Sequence, residues 1–226
     1  MKKQPTRKKT ALRRAALLAL ILLAASVLDL MNLIPRQSVW DMADTQDIQH
    51  PKIIETYYDD SLPAARFALQ HLVDGDDAMM LCSTGWNLFM GWYDRDWCKV
   101  ETWDGAPIHA GIRIHSQGEL HTADLFGRIA NGYITSLTLT FNAITTPAGQ
   151  GVVRTPCVIE IPEDAVFRAK NDQKYLLTPI VLPYDLLDVD YPNFQDFRII
   201  GYDHEGKVIA DEEVFCQSWS TSSPSA

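Results

Sequence analysis

The 226-residue chain predicts a mainly β protein: an antiparallel β-sandwich or jelly-roll-like domain with one short α-helix, preceded by an N-terminal transmembrane or signal helix. Three observations predict this class. A basic cluster precedes an uninterrupted apolar run. Beyond residue 75 the apolar positions fall in short runs bounded by turn residues. No helical periodicity separates those runs, as a parallel α/β sheet would require.

The N-terminal element comes first. Seven Lys or Arg and no acid precede Ala15, and Ala15 to Leu28 is small or apolar throughout, the layout of a signal sequence with its positive flank on the cytoplasmic side. Those 14 residues make a helix of about 21 Å, short of the ~30 Å hydrocarbon core. Extension through Ile34 gives 20 residues with only Asp29 and Asn32 polar, and Pro35 and Arg36 are expected to end the helix. Ala24 and Ser26 offer a cut before Val27, in which case the product is secreted. The organisation expected is a basic cytoplasmic flank over residues 1–14, a signal-anchor helix over 15–34, a stalk over 35–60, one extracytoplasmic β-rich domain over 61–216 and a flexible tail over 217–226. After the 36 N-terminal residues are set aside, the chain holds 12 basic and 28 acidic residues, a formal −16. Phosphate backbones repel such a polyanion, which excludes nucleic acid as a partner of the domain.

Within the domain, Lys52 to Tyr57 reads as a leading edge strand. Asp60 and Ser61 offer a cap, Pro63 a first turn, and Ala65, Phe67, Ala68, Leu69 and Leu72 an apolar face, so the one helix is expected there, ending near Gly75. Strands are expected at Ala78 to Ser83, Leu88 to Tyr93, Trp97 to Thr102, Gly111 to Ser116, Glu119 to Asp124, Tyr133 to Ile144, Val152 to Ile161, Tyr175 to Leu182, Phe197 to Tyr202 and Lys207 to Glu213. Asp94-Arg-Asp96, Asp104-Gly105, Gln117-Gly118, Asn131-Gly132 and His204-Glu-Gly206 supply the breaks. Ser136-Leu-Thr-Leu-Thr-Phe141 alternates strictly, the signature of a half-buried strand.

Four cysteines in an exported chain permit two disulfides. Cys82 with Cys98 closes a short loop around the tryptophan-rich stretch, and Cys157 with Cys216 joins distant strands. That stretch, Trp86 to Trp103, holds four of the six tryptophans. Trp92, Trp97 and Trp103 beside Asp94 and Asp96 have the chemistry of a sugar-binding face, with rings against C–H faces and carboxylates accepting from hydroxyls. The same rings serve equally as core.

His109, His115 and His121 recur every six residues. A three-residue loop over Gln117 to Glu119 would pair His115 with His121 as metal ligands; a two-residue turn would separate them. Asp185, Asp188, Asp190 and Asp196 form an acidic loop without EF-hand spacing. No cofactor is implied, and no nucleophile elbow, phosphate loop or zinc-protease motif occurs. The function expected is a membrane-anchored binding or accessory domain of the cell envelope, with a glycan or another membrane protein as partner. An envelope-acting hydrolase and a docking subunit are the alternatives.

Overall fold

A computed structural model describes residues 7–27, 32–58, 68–87, 91–117, 120–145, 151–182 and 193–220. Over these described residues the protein is mainly β, with three sheets, antiparallel or mixed, and two short helices.

Helix α1 spans Arg7–Val27. It begins within the basic flank and is about 30 Å long at 1.5 Å per residue. Leu17, Leu18, Leu20 and Ile21 along it are all more than half exposed. Among the described residues no helix is long and apolar enough to cross a membrane. The expected continuous helix through Ile34 is corrected at its outer end. Asn32 forms an isolated bridge with Gly91 and Trp92, and its side-chain amide donates to Asp41 Oδ2 at 3.0 Å, so the chain has already joined the folded unit there.

Helix α2, Pro35–Thr45, stands where a stalk was expected. Pro35 starts a helix rather than stopping one, because at the first helical position its missing N–H has no partner to lose. Gln37 Oε1 accepts from the backbone N–H groups of Leu33 at 2.9 Å and Ile34 at 3.2 Å, satisfying donors at the helix start. Ser38, Val39, Met42 and Ala43 form its buried face, the i, i+3, i+4 spacing of an amphipathic helix.

The first sheet has the order β1-β2-β3-β4, with β1 at Lys52–Tyr58, β2 at Ala68–Asp74, β3 at Ala78–Asn87 and β4 at Gly91–Glu101. The edge position of β1 agrees with the sequence. The helix expected to run to Gly75 is corrected: Ala68–Asp74 is a strand, buried at six of its seven positions. Burial on both faces erases the period-2 signal and leaves a spacing that imitates a helix. The proposed cap and first turn, Asp60 to Phe67, lie outside the described residues. Asp94 to Asp96 does not break the chain either, but runs within β4.

The remaining strands form two sheets. The second has the order β13-β5-β6-β10-β9, from Ile108–Gln117 (β5), Leu120–Ile129 (β6), Val166–Arg168 (β9), Lys174–Val181 (β10) and Phe215–Ser220 (β13). The third has the order β12-β11-β7-β8, from Ser136–Thr145 (β7), Val153–Ile161 (β8), Asn193–Tyr202 (β11) and Val208–Glu213 (β12). These pairings are antiparallel except that β13 runs parallel to β5, Phe215 opposite Gly111. Gln217 to Ser220, expected in a loose tail, therefore lie in a strand. The parallel edge makes the second sheet mixed, where an all-antiparallel arrangement was expected.

Two compact units divide the described chain. One takes its residues from 1–47, 55–71 and 82–97; the other from 48–54, 72–81 and 98–226. In the second unit one apolar core draws on both later sheets, with Ile112 and Leu125 from one and Leu139, Phe141 and Ile199 from the other. Leu72, Met79, Cys98, Val100, Phe126 and Tyr175 form a separate cluster. Gly111 lies at its margin, where an added Cβ would collide with Val100 and with the Phe126 ring, so only glycine allows the strand to pass so close.

Candidate functional site

In the first unit a cleft of about 120 Å³ opens between α2 and β4. Asn32, Ser38, Asp41, Met42, Asp94 and Trp97 line it, with Thr45 and Gln46. The helix supplies its share by periodicity, since residues 38, 41, 42 and 45 lie on one face at i, i+3, i+4 and i+7. The strand supplies an exposed carboxylate, Asp94, and a half-buried indole, Trp97. Asn32 ties the walls together: its carbonyl accepts from Trp92 N–H at 2.8 Å, while its side chain holds Asp41. Thr45 Oγ1 donates to the Asp41 carbonyl at 2.8 Å.

The cleft is small beside the ~300–1,000 Å³ pockets that enclose drug-sized ligands. It can admit one edge of a polar ring but cannot engulf an oligomer. Its walls bring carboxylates, amides, hydroxyls and an indole to one concavity.

Of the residues singled out in the sequence, the structure brings Asp94 and Trp97 together here. Trp92 is half-buried and joins by its backbone, without lining the cleft; Asp96 is half-buried and does not line it. Trp103 belongs to the other unit. There it is more than half exposed and meets the His109 ring edge-on at 5.0 Å. Asn32, Ser38, Asp41, Thr45 and Gln46 carry no signal of their own in the sequence. Recognising Pro35 as a helix start would have put Ser38, Asp41 and Thr45 on one helix at cleft-facing positions.

The histidine pair is corrected by strand register. Gln117 pairs with Leu120, His115 with Thr122 and Ser116 with His121. His115 and His121 are therefore not cross-strand partners in this register. No group of three or more metal-binding side chains is found among the described residues. Glu119 and the acidic positions 185, 188 and 190 lie outside them.

The disulfides are corrected as well: none of the four cysteines forms one. Cys82 Sγ donates to the His71 carbonyl at 3.7 Å and Cys98 Sγ to the Ile112 carbonyl at 4.0 Å. Cys157 sits opposite Phe141 in the third sheet, and Cys216 opposite Ile112 in the second. Cys157 and Cys216 thus lie in different sheets, whereas Cys82 and Cys98 lie on neighbouring strands of the first sheet, where each thiol donates to a backbone carbonyl.

A second polar cluster, unforeseen in the sequence, lies within the other unit. Tyr175 donates its hydroxyl proton to Asp74 Oδ2 at 2.7 Å, and Arg128 Nη1 donates to Asp74 Oδ1 at 3.1 Å. Asn171 Nδ2 donates to the tyrosine oxygen at 2.9 Å. Burial pushes the Tyr175 phenol up to about 12, so it stays a donor at neutral pH. His109 nearby is held below the usual imidazole range by burial first, then by Arg128, with Asp74 opposing. In the first unit His71 is pushed down to about 4 by burial, its ring nitrogens hydrogen-bonded to the hydroxyls of Thr56 at 3.0 Å and Thr84 at 2.9 Å.

No family model matches the chain, nor does any curated protein or solved structure.

Proposed function

We propose that this protein is a membrane-anchored, extracytoplasmic binding domain of the cell envelope, and that the cleft between α2 and β4 takes a small polar ligand of the sugar class. The observation that carries this reading is the meeting of Trp97 with Asp94 and Asp41 in one concavity. An indole face covers the C–H surface of a pyranose, and the carboxylates accept from its hydroxyls. A cleft of this size fits the edge of one sugar unit in a longer glycan.

The anchor rests on α1. Seven basic residues precede Ala15, and the exposed Leu17, Leu18, Leu20 and Ile21 are the surface that lipid covers. Lys and Arg in its first half reach the cytoplasmic interface by extending their stems. The two sheets that contribute to one apolar core serve as the β-sandwich of the exported domain. Protease added outside intact cells is expected to digest that domain; full protection would place it inside.

Binding is tested by titrating the full-length protein in detergent with solubilised envelope glycans while following tryptophan fluorescence. A saturable change is expected, weakened about tenfold or more in Trp97→Ala, the scale of a stacking contact desolvated on binding. No change at any concentration would remove the glycan reading. One observation favours a second reading: Asp41 and Asp94 are two carboxylates on one cleft, as a hydrolase of envelope glycans needs. Release of reducing ends from the same glycans, abolished in Asp94→Asn, would establish that reading in place of simple binding.

A further inference from the structure

The start of α2 has a second surface that the cleft does not use. Leu33, Ile34 and Trp40 are large apolar side chains left 37%, 52% and 42% exposed. Within α2, Arg36 and Trp40 stand at i and i+4 on one face, and Leu33 and Ile34 come directly before the helix. The Arg36 guanidinium lies 4.2 Å from the centre of the Trp40 ring, and among the described residues it has no carboxylate partner. The acids of this helix, Asp41 and Asp44, come only after Trp40. Exposed apolar residues and Arg36 thus occupy the stretch from Leu33 to Trp40, and the acids follow it, a polarity along the chain that matches a membrane surface at one end and water at the other.

Chain length limits where this surface can lie. Leu33 stands only six positions beyond Val27, the last residue of α1, and even a fully extended chain covers just about 20 Å over that interval. Resting on the membrane-anchored reading, we propose that the first turn of α2 lies in the headgroup layer of the membrane that α1 enters. Leu33, Ile34 and the Trp40 ring enter the acyl boundary, and Arg36 donates to lipid phosphate while stacked on that ring. Indoles favour this depth because one edge is apolar and the N–H can stay hydrated. A guanidinium presents several donors in a planar fork, so stacking on Trp40 leaves its edge N–H groups for phosphate oxygens. The consequence is positional: the cleft, on the Ser38, Asp41, Met42 and Thr45 face of the same helix, is held within reach of membrane-proximal glycan.

The test uses the full-length protein reconstituted into phosphatidylcholine and phosphatidylglycerol vesicles whose acyl chains are brominated near the carbonyl end. Vesicle flotation is scored on the same samples. The expected result is flotation with bromine quenching of tryptophan emission, and loss of that quenched component in Trp40→Phe. Arg36→Glu, which leaves all indoles in place, is expected to weaken the quenching by drawing the turn away from anionic lipid. Flotation with quenching unchanged in Trp40→Phe would overturn the inference while leaving the anchor intact. So would an unquenched Trp40 that a crosslinker shows buried against a second copy. Failure to float would overturn the anchored reading, and this inference would fall with it.

Discussion

The cleft of the first unit and the Asp74 cluster of the second are made from the same kinds of side chain, and they differ in how those groups are completed. Both oxygens of Asp74 are taken, one by Tyr175 and one by Arg128, and the tyrosine oxygen accepts in turn from Asn171. Tyr175 is wholly buried. The Asp94 carboxylate is exposed, and it faces the same concavity as Asp41 and Trp97. Buried polar groups that satisfy one another are part of the scaffold, whereas polar groups gathered around a cleft retain capacity for a ligand. Substitution should separate the two: changes in the Asp74 cluster should lower stability, and changes in the cleft should lower affinity alone.

The largest effect is expected for Asp74→Ala, which leaves Arg128 without its carboxylate and Tyr175 without its acceptor. Losing one partner of a buried ion pair costs about 3–5 kcal/mol, read as a lower denaturation midpoint of the full-length protein in detergent. Tyr175→Phe retains the Arg128 pair and should cost only about 1–2 kcal/mol. Equal losses in the two variants would break the assignment of Asp74 as the hub.

Next in size is a pH effect in the first unit. Folded His71 titrates near 4, against about 6.5 for the unfolded chain. Below 6.5 the unfolded state binds a proton that the folded state refuses. Stability present above 6.5 is thus lost as pH falls toward 4, at about 1.4 kcal/mol per pH unit, and the loss levels off below that. His71→Gln should flatten this slope above about pH 5, before carboxylates dominate. An unchanged slope would mean that His71 takes up its proton equally in the folded and the unfolded chain.

Gly111→Ala should destabilise the second unit by about 1–3 kcal/mol, because its methyl group must displace Val100 or Phe126. The smallest stability change is expected in the cleft itself. Asp94→Asn should move the denaturation midpoint by no more than about 0.5 kcal/mol while weakening glycan binding about tenfold, the scale of a hydrogen bond to a charged acceptor. A large stability loss in that variant would merge the two regions into one structural class.

Much of the strand pattern was legible in the sequence, and the reason is visible in β7. Leu137, Leu139, Phe141 and Ala143 are buried while their neighbours are not, so alternation survives into the fold. It fails in β2, where both faces are buried, and a strand imitated a helix. A different ambiguity arises at Pro35, because a proline that ends one helix and a proline that begins another have the same local sequence signature. The cleft was half legible. Asp94 and Trp97 stood out by composition, but Asn32, Ser38 and Asp41 become neighbours of β4 only through tertiary packing. The Asp74 cluster was not legible: Asp74 and Tyr175 are 101 positions apart, and no local pattern marks such a pair. The Cys157–Cys216 pairing failed for a related reason, since an even count of cysteines does not say which sheets carry them; Cys82 and Cys98 share the first sheet and still form no disulfide.

The most direct test of the cleft is an indole N–H spectrum of the ¹⁵N-labelled full-length protein in micelles, recorded as solubilised envelope glycan is added. Six tryptophans give six such signals, assigned by single replacement with phenylalanine. A saturable shift of the Trp97 signal with the Trp103 signal unmoved is the predicted result. A shift confined to Trp103, or a Trp97 signal indifferent to glycan at saturation, would contradict it.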